Sequence, residues 1–384
     1  MIPLSKPFIE EDDVNEVLNV LQSSWLALGP YLEKFESAIS EYTGLKYTVA
    51  VNSGTSALHL ILKALEPKPG DYMIVPSFTF ISSANVALFE GVIPIFVDID
   101  EETYNTSPEA LEDLLIRIEK GKYYLDGDKV DIKKVKYFMG VDIFGQPLDW
   151  DNIIPLLKER NITIIEDSCE ALGAEYKGKK AGSFGLAGAF AFYPNKQITT
   201  GEGGVVVTND ERIYKLSKSM RNQGRGEDEE WLSHVRLGYN YRMDEMSAAL
   251  GYSQMKKLDK ILEMRENVAK TYNEFLRDVG GVRTPVVKQY TTKMSWFVYV
   301  VMLDEEINRD KVIDMLKERG IQSRNYFQPV HLQPFYRKFG HSEGELLVTE
   351  RVSKRTLALP FYTNMKKEEI EKVVDALKSI LKTL

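Results

Sequence analysis

Strand-like and helix-like segments alternate through the first half of this chain, and this alternation constrains its fold most. Short apolar segments with strand character are separated by segments whose apolar residues recur at helical spacing. The strand-like segments occupy residues 47–51, 72–75, 93–97, 136–141 and 162–165. The pattern predicts an α/β fold in which a mostly parallel sheet lies between helices.

Several predicted strands end in small, polar or acidic motifs. These motifs are SGTS at residues 53–56, PSFTF at 76–80, FGQP at 144–147 and EDSCE at 166–170. Lys196 follows another strand-like segment, 189–193, and precedes a Gly-Glu-Gly-Gly turn. Ligands of open parallel sheets bind outside the carboxyl ends of the strands. We therefore expect these motifs to share one binding site.

Gly54, Thr55 and Ser56 stand where a strand turns into an apolar helix. The N-terminus of a helix presents free N–H groups and a partial positive charge, which suit a phosphate. Glycine lets the backbone approach the ligand, and the two hydroxyls add donors. The alternative is an ordinary helix N-cap, which any serine or threonine can supply.

Lys196 is a candidate nucleophile because it stands at the end of a buried strand. A lysine in such a place has little conformational freedom and is partly removed from water, two conditions that favour a reactive amine. The alternative is a lysine whose ammonium group simply extends into solvent.

A phosphate cradle, an aromatic ring, a strand-end carboxylate and a lysine together match the needs of pyridoxal 5′-phosphate. Phe80 could stack on the cofactor ring, or could belong to the core. Asp167 could keep the pyridine nitrogen protonated, or could cap a following helix. Lys196 would form the Schiff base with the cofactor aldehyde.

Composition excludes several other classes of protein. The chain has 384 residues, a net charge of −8 and one cysteine, Cys169. The negative charge argues against nucleic acid as a partner, and the single cysteine fits a reducing compartment. The chain shows no signal peptide, no membrane-length apolar run, and no paired histidines for a metal site. We expect a cytoplasmic protein with a large domain at 1–250 and a smaller one at 251–384.

Five segments resemble the DegT/StrS family of nucleotide-sugar aminotransferases. They read SGTSALHL, PSFTF, IIEDSCEALGAEYKGKKAGSFG, FYPNKQITTGEGG and LGYNYRMDEMSAALG, in that order along the chain. The resemblance implies an aminotransferase of fold type I, with a mostly parallel seven-stranded sheet between helices and a smaller α+β C-terminal domain. It also implies a homodimer whose active sites lie at the subunit boundary.

The resemblance assigns roles residue by residue. Lys196 corresponds to the Schiff-base lysine, Asp167 to the partner of the pyridine nitrogen and Phe80 to the stacking aromatic. Gly54, Thr55 and Ser56 correspond to the phosphate cradle. Asn240 corresponds to an asparagine that reaches the phosphate of the other subunit's cofactor.

Two positions near the expected cofactor depart from the family's usual pattern. Glu170 stands where relatives often carry histidine or glutamine near the ring hydroxyl of the cofactor. A carboxylate there must be protonated or compensated. Ala191 replaces a phosphate-binding serine, which would remove one hydrogen bond to the phosphate.

The activity implied by the resemblance is amino transfer from L-glutamate to a keto group of a nucleotide-linked sugar, for amino-sugar or cell-surface polysaccharide synthesis. The expected acceptor is a 4-keto-6-deoxyhexose, although the family also includes 3-keto acceptors. Arg225, in a polar loop at 224–233, and Tyr326 and His331 are candidate substrate contacts. For His331, a purely structural role is an equal alternative.

Two other functions stay open at this point. The chain could be a regulatory protein that keeps the fold without turnover, although such a protein has no need of the Asp167–Lys196 pair. It could also be a dehydratase or epimerase with the same cofactor. Family members that are dehydratases carry histidine in place of the lysine, so Lys196 argues against that chemistry.

Overall fold

The computed structural model describes residues 1–226 and 233–384. The polar loop predicted at 224–233 therefore lies mostly outside the described residues. No helix in the described part of the chain is long and apolar enough to cross a membrane.

The strands form one large sheet and three small ones. They are β1 (Tyr47–Val51), β2 (Tyr72–Pro76), β3 (Ile93–Val97), β4 (Tyr124–Leu125), β5 (Asp128–Lys129), β6 (Val135–Val141), β7 (Thr163–Asp167), β8 (Glu175–Tyr176), β9 (Lys179–Lys180), β10 (Ala187–Ala191), β11 (Gly204–Thr208), β12 (Val282–Arg283), β13 (Thr291–Lys293), β14 (Tyr299–Leu303) and β15 (Thr356–Leu359). The two-residue strands β4 and β5 pair antiparallel and form a short hairpin within the charge-rich segment 120–136.

The large sheet confirms the predicted α/β architecture. Its seven strands lie in the order β1-β11-β10-β7-β6-β2-β3. All neighbouring pairs are parallel except those of β11, which runs antiparallel to both β1 and β10. The register places Asp167, the last residue of β7, opposite Val141 on one side and Ala189 on the other. The carboxyl ends of β6, β7 and β10 therefore meet at one edge.

The helices pack on both faces of this sheet and around the smaller sheet of β12, β14 and β15. They are α1 (Glu11–Ser23), α2 (Pro30–Thr43), α3 (Gly54–Ala64), α4 (Ser82–Phe89), α5 (Pro108–Glu119), α6 (Trp150–Lys158), α7 (Glu211–Arg221), α8 (Glu245–Met255), α9 (Leu258–Leu276), α10 (Arg309–Glu318), α11 (Leu347–Arg355) and α12 (Lys367–Leu381). Side-chain caps begin several of them; Asp210 and Asn308, for example, accept N–H groups of α7 and α10.

Helical spacing runs through the sequence from about residue 244 to residue 276, but the structure has two helices there, because the chain breaks between α8 and α9. Lys257 turns the chain there and donates to Asp12 at 2.6 Å and to Asp13 at 2.8 Å on α1. Helix α8 packs against α1 and α2, while α9 continues towards the smaller sheet. Lys256 and Lys257, the two residues at the break, fit a helical pattern, so the sequence there contains no signal that ends a helix.

One apolar cluster packs α2 and the start of α9 against β10 and β11, and another is formed by the later turns of α9 with α10, α12 and β14. Helix α9 therefore joins the two clusters. The N-terminus returns to the second cluster, where Ile2 N–H donates to Gly320 O at 2.8 Å. A third cluster contains residues from both parts of the chain, so the division into domains at 1–250 and 251–384 stays a prediction.

Candidate active site

Lys196 lies in a confined place at the carboxyl edge of the large sheet. Strand β10 ends at Ala191, two residues earlier than the predicted strand, and the chain then turns so that Lys196 N–H donates to Tyr193 O at 2.9 Å. The side chain is 12% exposed, its Nζ is 3.5 Å from Glu170 Oε1, and it lies 3.8 Å from the centre of the Phe297 ring. The lysine therefore does not extend freely into solvent.

Glu170 compensates the charge of Lys196 within the site. Its carboxylate is buried, and its second oxygen accepts the N–H of Phe144 at 2.9 Å. Burial raises the pKa of Glu170, while the nearby Lys196 ammonium and the Phe144 N–H oppose that rise. The compensation that the sequence required for a carboxylate at this position is thus supplied by the lysine itself.

Asp167 lies buried at the end of β7 with its side chain fixed by two donors. Oδ2 accepts the hydroxyl of Ser83 at 2.6 Å, and Oδ1 accepts the N–H of Cys169 at 3.2 Å. Residues 168–174 form turns instead of a helix, so the capping alternative for Asp167 is wrong. A carboxylate oxygen accepts more than one hydrogen bond, which leaves Asp167 able to receive a further donor.

The first turn of α3 presents backbone N–H groups to a ligand. Ser53 is its N-cap and accepts the N–H of Ser56 at 3.1 Å. Ser56 is buried, and its hydroxyl lies 2.7 Å from Asn52 Oδ1. The cap binds the N–H of Ser56, and the first backbone bond of the helix uses the N–H of Ala57. The N–H groups of Gly54 and Thr55 come before both and are used by neither.

Gly54 also lets the start of the helix lie close to the end of β10. A methyl group on Gly54 would lie 2.6 Å from Cβ of Ala191 and 3.0 Å from Cys169 Sγ. Both distances are too short for non-bonded atoms, so only glycine lets the helix start so close to β10 and the turn after β7.

Phe80 is 59% exposed, so it is not the core residue that the sequence allowed as an alternative. Phe78, two residues earlier, is fully buried and packs against Tyr104, Phe144 and Phe327. The PSFTF motif thus divides its two aromatic rings between the core and the open surface just before α4.

Asn240 is exposed, and its two neighbours in the chain are tyrosines whose rings stack on each other. The rings of Tyr239 and Tyr241 are 4.9 Å apart with an interplanar angle of 10°. His59 on α3 binds the Tyr241 hydroxyl at 3.0 Å and Glu90 at 2.8 Å. The helix that carries Gly54 therefore also holds the segment that carries Asn240.

The candidate substrate contacts occupy different environments. Tyr326 is half-buried and stacks on Phe297, the ring beneath Lys196, with centroids 6.4 Å apart. Arg225 is half-buried and forms a backbone bridge with His234.

His331 is fully buried, which does not fit a substrate contact. Its Nδ1 lies 2.6 Å from Ser77 Oγ and its Nε2 lies 3.2 Å from Glu350 Oε1. Burial lowers the pKa of His331, so the ring is held neutral. This placement favours the structural role, in which the hydrogen bond to Ser77 holds residues 330–332 against the end of β2.

Three functional candidates were missed by sequence reasoning: Phe297, Ser83 and Ser53. Ser53 carried a readable signal, since it directly precedes the helix. Ser83 and Phe297 carried none, because their roles depend on contacts with Asp167 and Lys196 that only the fold creates. In the described ranges, no group of three or more His, Cys, Asp or Glu side chains is placed to hold a metal ion.

Comparisons with known proteins agree with this geometry. The model of the DegT/DnrJ/EryC1/StrS aminotransferase family matches residues 7–378. GDP-perosamine synthase of Caulobacter vibrioides is 34% identical over 383 residues, which cover 99% of this chain and 98% of that protein.

Solved structures of related proteins share the whole fold. PseC of Helicobacter pylori, an aminotransferase involved in the biosynthesis of pseudoaminic acid, is 28% identical and superposes with a TM-score of 0.91 over 100% of both chains. A mutant of GDP-4-keto-6-deoxymannose-3-dehydratase (ColD), with bound GDP-perosamine, is 26% identical with a TM-score of 0.88, over 98% of this chain and 100% of that one.

Proposed function

We propose, since this chain belongs to the DegT/DnrJ/EryC1/StrS aminotransferase family, that it transfers an amino group to the keto group of a nucleotide-linked sugar. The observation that carries the proposal is the confinement of Lys196, 3.5 Å from Glu170, at the sheet edge where Asp167 ends β7. A protein that only binds or regulates does not need a confined amine there.

The residues present fit pyridoxal 5′-phosphate, the cofactor of this family. The close approach at Gly54, with two N–H groups not used by the helix, suits a phosphate. Asp167 offers a buried carboxylate to a protonated ring nitrogen, and the exposed Phe80 offers a flat apolar surface. When bound, the cofactor supplies an electron sink that stabilises negative charge on the substrate carbon.

The chain's own residues would orient the reactants and move the proton. Lys196 Nζ, once released from the cofactor, would carry a proton between the donor's α-carbon and the cofactor. Glu170 would keep this amine in place through their ion pair. Asp167 would hold the proton on the ring nitrogen, with Ser83 fixing the orientation of its carboxylate.

The proposed donor is L-glutamate and the proposed acceptor is a 4-keto-6-deoxyhexose linked to a nucleotide. The acceptor class is consistent with relatives that include a GDP-perosamine synthase and an aminotransferase of pseudoaminic acid biosynthesis. Tyr326 stacks on Phe297, the ring beside Lys196, which makes it a candidate substrate contact. Arg225 is a second candidate.

The proposed assembly is a cytoplasmic homodimer in which Asn240 reaches the phosphate of the partner's cofactor. The exposed position of Asn240 supports this role. The product would serve the synthesis of amino sugars or of cell-surface polysaccharides.

A turnover assay tests the proposal. The purified chain is incubated with L-glutamate and with GDP-, UDP- or dTDP-linked 4-keto-6-deoxyhexoses, and products are identified by mass spectrometry. We expect equal amounts of amino sugar and 2-oxoglutarate with at least one acceptor, and neither with Lys196→Ala. A deoxygenated sugar formed without an amino product would instead indicate a dehydratase. If no acceptor gives a product, the regulatory function becomes the leading hypothesis.

A further inference from the structure

Two buried carboxyl groups lie directly beside Asp167 and have no part in the proposed chemistry. Asp142 follows β6 and Glu166 precedes Asp167 on β7, and both are fully buried. The hydroxyl of Ser168 joins them: its Oγ lies 2.6 Å from Asp142 Oδ2 and 3.2 Å from Glu166 Oε1. Two ionised acids so placed would repel each other in a medium of low polarity.

Hydrogen counting shows that the arrangement needs one more proton. A serine hydroxyl has a single hydrogen and can donate it to one of the two carboxyl groups. The other contact, if it is a hydrogen bond, requires a carboxylic acid that donates to Ser168 Oγ. Both contacts are hydrogen bonds at the same time only when one of the two acids is protonated.

The backbone decides which acid keeps the negative charge. Glu166 accepts three N–H groups, from Gly182 at 2.5 Å, Phe184 at 2.7 Å and Gly185 at 3.2 Å. The carboxyl group of Asp142 accepts one, from Leu148 at 3.1 Å. Three N–H donors stabilise a carboxylate far better than one.

We propose that Asp142 is a neutral carboxylic acid at neutral pH, and that the chain Asp142–Ser168–Glu166 is a positioning unit for Asp167. Asp142 donates its proton to Ser168, and Ser168 donates to the Glu166 carboxylate. Glu166 and Ser168 are the chain neighbours of Asp167 on either side. In addition, Asp142 N–H donates to Asp167 O at 3.1 Å. The positioning role rests on the proposed function of Asp167, whereas the location of the proton does not.

The charges around Asp142 agree with this assignment. Glu166 is the charged neighbour of Asp142, because the two carboxyl groups lie on either side of the Ser168 hydroxyl, whereas Asp167 contacts Asp142 through the backbone. Lys180, at the start of the turn that binds Glu166, is paired with Glu175 at 2.7 Å. Burial and the neighbouring Glu166 raise the pKa of Asp142 well above its ordinary value.

The sign of the pH effect follows from that shift. A carboxyl group with a raised pKa keeps its proton in the folded state after the unfolded chain has released it. Its contribution to stability is therefore lost as pH rises from the ordinary value of 3.8 towards the raised one.

Asp142→Asn and Glu166→Gln in the full-length chain test the assignment. Infrared spectra of the cofactor-free proteins at neutral pH should show the C=O stretch of a protonated carboxylic acid in the wild type and not in Asp142→Asn. The control Asp113→Asn, which changes an exposed acid, should keep the band. Because an amide can replace the neutral acid, Asp142→Asn should also unfold at nearly the wild-type urea concentration, with a weaker loss of stability as pH rises.

Glu166→Gln should instead reduce the folding equilibrium constant by about tenfold or more, because it removes the charge that three N–H groups bind. A band that is lost in Glu166→Gln but kept in Asp142→Asn would overturn the assignment. So would a wild type without the band, or an Asp142→Asn that is as unstable as Glu166→Gln or does not fold.

Cofactor binding tests the positioning role. Asp142→Ala should weaken binding of pyridoxal phosphate by about tenfold or more, while Asp142→Asn should restore it to near the wild-type value. Equal affinities for Asp142→Ala and the wild type would overturn the positioning role. If no variant, including the wild type, binds the cofactor, the proposed function has failed while the infrared result still decides where the proton lies.

Discussion

At the scale of single residues, the contact between Glu170 and Lys196 separates this site from the pattern of its family. The resemblance left open how a carboxylate could be accommodated at this position. In the structure Lys196 compensates the carboxylate through an ion pair of 3.5 Å, and its Nζ lies over the ring of Phe297. A carboxylate stabilises a neighbouring positive charge, so Glu170 should affect the imine that Lys196 is proposed to form with the cofactor.

Glu170→Gln tests this effect. Loss of the negative charge should lower the pKa of the imine nitrogen by about one unit or more. A pH titration of the visible absorption band measures the shift. Glu159→Gln is the matched control, because it removes the same charge from an exposed side chain on the surface. An unchanged titration in Glu170→Gln would mean that the carboxylate does not interact with the lysine once the cofactor is bound.

The residues that could be predicted from sequence are those that stand next to a readable element. Lys196 and Asp167 follow strand patterns and so could be placed at the sheet edge. Phe297 and Ser83 could not, because their contacts with Lys196 and Asp167 join segments far apart in the chain. For His331 the sequence left a substrate contact and a structural role equally open, because a histidine in a loop that contains prolines gives no sign of its burial.

At the scale of elements, the start of α3 combines several functions within two turns. Gly54 allows the helix to begin against Ala191 and Cys169, while His59 holds Tyr241 beside Asn240. A helix placed this close to a strand end depends on the missing side chain.

Gly54→Ala should therefore weaken cofactor binding. The new methyl group would overlap Cβ of Ala191, and the helix would have to move away from the sheet edge. We expect the dissociation constant of pyridoxal phosphate to rise by about tenfold or more, measured by fluorescence titration. Gly280→Ala is the control, since nothing lies within 4 Å of its added methyl group. Equal affinities in the two variants would contradict the close-approach interpretation.

Most elements of the large sheet could be predicted because strand and helix periodicities differ clearly there. The break between α8 and α9 could not be. Lys256 and Lys257 continue the helical pattern, and the turn depends on ion pairs with α1, which lies some 240 positions earlier.

At the scale of the whole molecule, an apolar surface is left uncovered on the N-terminal side. It consists of Val14, Leu18, Leu21, Trp25, Leu26 and Leu28, all exposed. Six large apolar side chains so close together in the chain suit an interface between protein chains. We assign this surface to the proposed homodimer.

Leu18→Lys combined with Leu21→Lys tests that assignment. Two ammonium groups in the apolar surface should shift the protein towards the monomer in sedimentation velocity. Leu347→Lys, which changes another exposed leucine on α11, is the control and should leave the assembly unchanged. A double variant that sediments like the wild type would mean that the surface lies outside the dimer interface.

The absorption spectrum of the full chain with pyridoxal phosphate, before and after L-glutamate, tests the central role of Lys196 most directly. We predict a visible imine band in the wild type that glutamate converts to the spectrum of the aminated cofactor. Lys196→Ala should lack this lysine-dependent band, whereas the exposed Lys354→Ala should behave like the wild type. The account would be contradicted if the wild type forms no imine, or if Lys196→Ala forms the same one.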